Sequence, residues 1–163
     1  MKYVVRERMF SIGDDFWIED EEGRHAFLVD GKAMRLRETF ELKDPEGRVL
    51  ATVRKKLLAM RDTLEVERDG AVVASVRKAW FSPLREKYAV ELDEGREMEV
   101  AGDLLAREFE MRVDGRTIGV VSRTWFHLRD TYGVEVTDDA DAPLVLAVAV
   151  CVDRLLEGEE DED

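Results

Sequence analysis

Apolar and polar residues alternate with period two along most of this chain, in short runs broken by Asp-Gly or Glu-Gly pairs. Such alternation puts every second side chain on one face of a strand, and an Asp-Gly break between two runs is the signature of a tight hairpin. Phe16 to Asp20 turns at Glu22-Gly23 into Arg24 to Val29, and Phe40 to Asp44 turns at Glu46-Gly47 into Arg48 to Lys55. Leu64 to Arg68 turns at Asp69-Gly70 into a strand through Val76 and Lys78. The same pattern returns 45 positions later, where Phe109 to Val113 turns at Asp114-Gly115 into a strand through Val121 and Arg123. One hairpin is therefore written repeatedly, and a repeat constrains the fold before any single motif does. With further strand candidates at Tyr3 to Phe10, Ala33 to Arg37, Arg85 to Leu92, Glu97 to Ala101 and Thr131 to Thr137, the pattern predicts about twelve antiparallel strands.

The last segment follows a different rule. Asp141 is a helix N-cap residue, Pro143 suits a first helical turn, and Leu144 to Val152 runs without a polar residue on to Asp153-Arg154-Leu155-Leu156. Its valines favour a strand by propensity. A lone helix with no polar face must be surrounded by protein, however, and a sheet closed into a barrel around it does that while removing exposed edges. The predicted fold is mainly β: a closed antiparallel barrel of about twelve strands around a buried hydrophobic C-terminal helix.

Composition agrees with one globular unit. The chain has 163 residues, 45% of them hydrophobic and 39% charged, enough apolar surface for a core under a densely charged exterior. No linker interrupts it, so residues 1–157 read as a single domain and 158–163 as an acidic, disordered tail. The net charge of -13 disfavours nucleic acid as a partner. The single cysteine, Cys151, lies in the apolar run and fits a reducing cytoplasm. Neither a signal peptide nor a transmembrane segment is expected, because the run from Leu144 to Val152 is far short of the ~20 residues that span a bilayer.

Several stretches taken together resemble the LURP-one-related family, which belongs with the tubby C-terminal domain and the phospholipid scramblases in one barrel superfamily. They are Tyr3 to Arg6 with Phe16 to Asp20, Val29 to Lys32, Lys56 to Leu58, Val76 to Lys78, Trp125-Phe126, Thr131 to Val134, and Leu146-Ala147 through Val152-Asp153. The resemblance implies a twelve-stranded barrel threaded by a hydrophobic helix. It also brings lipids into view, since tubby domains bind phosphoinositides and scramblases act on lipids. No local motif here matches tubby's lipid-binding residues.

The recurring bases are the one feature that reads as a site. Arg54 and Lys55, then Arg77 and Lys78, then Arg123 occupy equivalent ends of the second strand in three copies, so a barrel would bring them to one rim. Convergent Arg and Lys suit phosphate or carboxylate, which makes an anionic lipid headgroup or a phosphorylated small molecule the expected ligand. The competing reading pairs each base with a cross-strand acid such as Glu65, Glu67 or Glu110. For Trp80-Phe81 and Trp125-Phe126, one residue of each pair is expected in the core and its neighbour as surface cover.

Catalysis has little support. His25 and His127 are far apart, no metal-ligand spacing, phosphate loop or nucleophile elbow occurs, and a thiol within an apolar helix is inert. The expectation is a non-enzymatic binding module without metal or cofactor. A structural or protein-interaction scaffold with no small-molecule ligand is the alternative.

Overall fold

Each of the four repeated hairpins carries a register shift immediately after a fully buried side chain: Ile18, Leu42, Val66 and Met111. A bulge there bends the strand and increases its right-handed twist, which is what curls a flat meander into a ring. The ring is complete in the computed structural model, which describes residues 1–6, 15–31, 38–56, 63–79, 87–125 and 131–162.

Twelve strands among the described residues form it: β1 (Lys2–Arg6), β2 (Asp15–Asp20), β3 (His25–Asp30), β4 (Glu38–Lys43), β5 (Val49–Lys55), β6 (Thr63–Arg68), β7 (Ala71–Ala79), β8 (Lys87–Leu92), β9 (Glu97–Asp103), β10 (Glu108–Val113), β11 (Arg116–Ser122) and β12 (Thr131–Val136). Every strand pairs antiparallel with its neighbours in sequence, and β1 closes on β12 from Lys2↔Glu135 to Arg6↔Thr131. The strand expected at Ala33 to Arg37 lies outside the described residues, as do Trp80, Phe81, Phe126 and His127.

The turns come in two kinds that the repeat did not distinguish. At Asp69-Gly70 and Asp114-Gly115 both residues have positive φ (51° and 79°, 51° and 75°), the two-residue hairpin geometry that matches strand twist. The two earlier turns are longer and organised by an aspartate. Asp20 Oδ1 accepts the backbone N–H of Glu22 and of Arg24, each at 2.9 Å, and Asp44 Oδ1 does the same for Glu46 and Arg48 at 3.0 and 2.8 Å. These are side-chain-mimicked turns, in which a carboxylate takes the place of a backbone carbonyl.

The helix α1 (Ala142–Glu162) follows. Asp141 starts it, its Oδ1 accepting the Leu144 N–H at 3.2 Å and its carbonyl the Val145 N–H at 3.0 Å. Val145 to Val152 are each 0–1% exposed, so the helix is dry around its full circumference inside the barrel. The alternation of the strands supplies the surrounding wall, with Ile18, Val29, Phe40, Leu42, Val53, Val66, Val76, Val100, Met111, Val121 and Val134 pointing inward and buried. Valine's strand preference yields here because burial on every side outweighs a propensity difference of less than about 1 kcal/mol per residue. The helix also runs on through Glu162, into the run read from sequence as a disordered tail. Glutamate is a good helix former, and adding residues to an existing helix avoids the cost of nucleation.

Odd-numbered strands all run one way and even-numbered strands the other. The tight turns and the start of α1 therefore share a lower rim, and the C-terminal ends of β5, β7, β9 and β11 share an upper rim.

Candidate functional site

The recurrent bases stand at the upper rim but at separate places around it. Arg54 is on the outer wall of β5, opposite Glu65 in register and 3.3 Å from Glu67 Oε2. Lys55, the next residue, is exposed at the strand end beside Leu64. Two strands on, Arg77 faces outward from β7 and its Nη2 donates to Glu91 Oε1 at 2.7 Å. Lys78 follows it, in backbone register with Tyr88. Arg123 is exposed just past β11, and its backbone N–H donates to Glu108 Oε1 at 3.0 Å. In the ring, β7 and β11 are separated by three strands, while β5 and β11 lie on opposite sides. Arg54 and Arg77 can thus serve one patch of outer wall, and Arg123 another. Both arginines have acidic cross-strand neighbours, and the Arg77–Glu91 pair, 47% and 52% exposed, belongs to the class of surface ion pairs that contribute at most about 1 kcal/mol.

A second charged group lies where the sequence offered no pattern. The turn between β9 and β10 folds the side chain of Arg107 into the upper end of the barrel, where it meets Asp153 of α1. Its Nε donates to Asp153 Oδ1 at 2.8 Å and its Nη2 lies 2.7 Å from the same oxygen, with the two side chains only 1% and 2% exposed. Nη1 donates to the carbonyls of Leu104 and Leu105, both at 3.2 Å. Arg107 adopts a positive φ of 57°, which a non-glycine residue rarely takes. The lower end of the helix is tied by a more exposed pair, Arg68 with Asp141.

The bore itself is occupied by α1, and a concavity lies on the outside. A groove of about 470 Å³ runs over β9, β10 and β11. Small residues, Ala101, Gly102 and Val120, leave its floor low, and Glu99, Glu108, Glu110 and Arg112 stand around it. Glu110 is held by Arg112 through Nε and Nη2 at 2.9 and 2.5 Å, and Glu108 by Ser122 Oγ at 3.0 Å. None of the recurrent bases lines it.

The remaining reactive side chains are placed for packing. Burial pushes the Cys151 thiol far above its ordinary value, so no thiolate forms at neutral pH. His25 stacks flat on Trp17, ring centres 4.2 Å apart, and the half-buried Trp125 has the Lys2 ammonium 4.8 Å over its ring. Among the described residues no cluster of His, Cys, Asp or Glu is arranged to hold a metal ion, and no helix is long and apolar enough to cross a membrane.

With this geometry in place, comparison with known proteins decides the kinship. The sequence profile of the LURP-one-related proteins matches residues 1–153, the entire barrel and the apolar part of the helix. The chain belongs to the LURP-one-related family. It is 29% identical to the Bacillus subtilis protein YxjI over 164 residues, covering 99% of this chain and 98% of that one. Its fold is that of an X-ray structure of a protein from Arabidopsis thaliana, with a TM-score of 0.69 at 18% identity over 94% of this chain and 91% of the other.

Two features of this LURP-one-related barrel escaped the sequence reading. Asp153 carried a signal: it is the first charge after a long apolar run, and a charge that deep in a barrel requires a partner. Arg107 carried none, since a turn arginine normally faces solvent and only the closed ring turns it inward. The outer groove was likewise silent, because it arises from the relative heights of side chains on three adjacent strands.

Proposed function

We propose that this protein is a non-catalytic binding module that meets its partner, another protein, with the outer wall of the barrel. One observation carries the reading: the bore is filled by α1, whose Val145 to Val152 are 0–1% exposed. Barrels that hold small ligands keep an open interior for them. Here the space available for recognition is outside, and the groove over β9, β10 and β11 is a concave place on that wall. A photo-crosslinking residue placed at Val120, in that groove, and another at Val72, on the opposite rim, test this in cells. A discrete crosslinked protein from position 120 alone, lost on Glu99→Lys/Glu110→Lys, is the expected result. Equal or absent crosslinking from both positions removes the proposal.

A second reading keeps the recurrent bases as a site for an anionic lipid headgroup or a phosphorylated small molecule. It is favoured by the shared rim, onto which β5, β7 and β11 all deliver Arg54, Lys55, Arg77, Lys78 and Arg123. Cosedimentation at low salt with vesicles containing phosphatidylserine or phosphoinositide, against pure phosphatidylcholine, separates the two readings. Binding that is lost on Arg77→Glu/Arg123→Glu establishes the lipid site, and no sedimentation with any anionic vesicle eliminates it.

A further inference from the structure

We propose that the buried Arg107–Asp153 pair is a register lock, which fixes the depth and rotation of the upper part of α1 in its apolar bore. The bore wall is lined by aliphatic and aromatic side chains with one notch, at Gly119 near its lower end, and the helix segment inside it is built from valine, alanine, leucine and one cysteine on every face. Such surfaces discriminate poorly between neighbouring registers. A slide of one helical turn, about 5.4 Å, or a rotation of about 100° to the next residue, exchanges small aliphatic groups for others like them.

The pair responds differently. Arg107 Nε donates to Asp153 Oδ1 at 2.8 Å while Nη2 lies 2.7 Å from the same oxygen, and a shift of one turn takes that oxygen out of reach. The guanidinium cannot follow, because Nη1 is anchored to the carbonyls of Leu104 and Leu105 and the backbone of Arg107 is held at a positive φ. Every wrong register therefore leaves a cation, only 1% exposed, without its carboxylate. A buried ion pair gains little net stability over well-packed apolar residues, whereas breaking one is costly, and that asymmetry is what a specificity device requires. Single buried polar residues set the register of coiled coils in the same way.

The test replaces the pair with apolar residues in two packings, Arg107→Met/Asp153→Leu and Arg107→Leu/Asp153→Met, in the full chain. Amide correlation spectra read the register, since each helix residue gives one signal per environment. In the native protein one set is expected for residues 145–152. In the double variants the barrel should remain folded by circular dichroism while those signals split, with a second register populated to roughly a tenth or more. Arg107→Met alone, which takes the guanidinium away from the buried Asp153 carboxylate, should unfold at lower denaturant than either double variant. A double variant that folds with a single sharp set of helix signals overturns the lock. Failure of both doubles to fold overturns it equally, because the pair would then be serving stability.

Discussion

Gly119 of β11 is the notch that seats Val145 of α1: a Cβ on this glycine would lie 2.8 Å from Val145 Cγ1 and 2.9 Å from Met111 Cε. The close approach is at the lower end of the bore, one turn above the Asp141 cap. Gly119→Ala should therefore act as overpacking and lower stability by about 1–3 kcal/mol. Val145→Ala in the same chain should recover part of the loss by vacating the contact, a coupling that urea unfolding of the four-member cycle measures. Strict additivity would mean that the two residues do not meet.

Two other glycines are expected to differ sharply from each other. Gly70 needs its positive φ of 79°, but a Cβ there would meet nothing, so Gly70→Ala costs only the left-handed backbone, about 1–2 kcal/mol. At Gly102 a Cβ would fall 2.5 Å from the Glu108 carbonyl oxygen and 2.8 Å from Phe109 Cα, backbone atoms of the adjoining strand that cannot swing aside. Gly102→Ala should cost about 3 kcal/mol or more, and a smaller loss than Gly70→Ala would contradict the strand packing described.

Cys151 offers a probe of how tightly the bore is sealed. Its thiol is fully buried and its pKa pushed up, so the native protein should not react with a thiol reagent at pH 8, a mildly alkaline value at which an ordinary cysteine is about one-quarter ionised. Labelling should instead keep pace with opening of the barrel as denaturant is added. Rapid modification of the native state would show that the helix leaves the bore readily.

Asp20 predicts a component of acid sensitivity. The Arg24 backbone N–H, foremost, then the Glu22 N–H and the Arg24 guanidinium hold its carboxyl below the ordinary aspartate value, while burial opposes them. A carboxyl whose folded pKa is depressed contributes stability that is complete above its unfolded value, about 4, and is lost as pH falls through the folded one. The gap in unfolding midpoint between wild type and Asp20→Asn should be full at about pH 6 and narrow as the pH is lowered toward about 2. A gap that stays constant across that range would remove the turn carboxylate from the account.

The barrel was readable because period-two alternation and turn glycines are local properties, repeated until they reinforce one another. The helix was readable for the converse reason: Leu144 to Val152 has no polar side, and one element without a polar side has to be enclosed. The two kinds of turn were not, since Glu22-Gly23 and Asp69-Gly70 look alike until Asp20 is seen reaching across its own loop. The bases at Arg54, Arg77 and Arg123 were legible as a recurrence, but their spacing around the rim depends on how many strands the ring inserts between β7 and β11.

By itself, then, the order of residues determined which segments are strands, where they reverse, and that a dry helix must lie within them. These follow from side-chain period and backbone stereochemistry, which act over a few neighbours. Tertiary structure alone decided that Arg107 turns inward to Asp153, that Gly119 admits Val145, and that a groove opens over β9, β10 and β11. Each of those relations joins residues far apart in the chain or set by a neighbouring strand's height, and only closure of the ring brings them within contact distance.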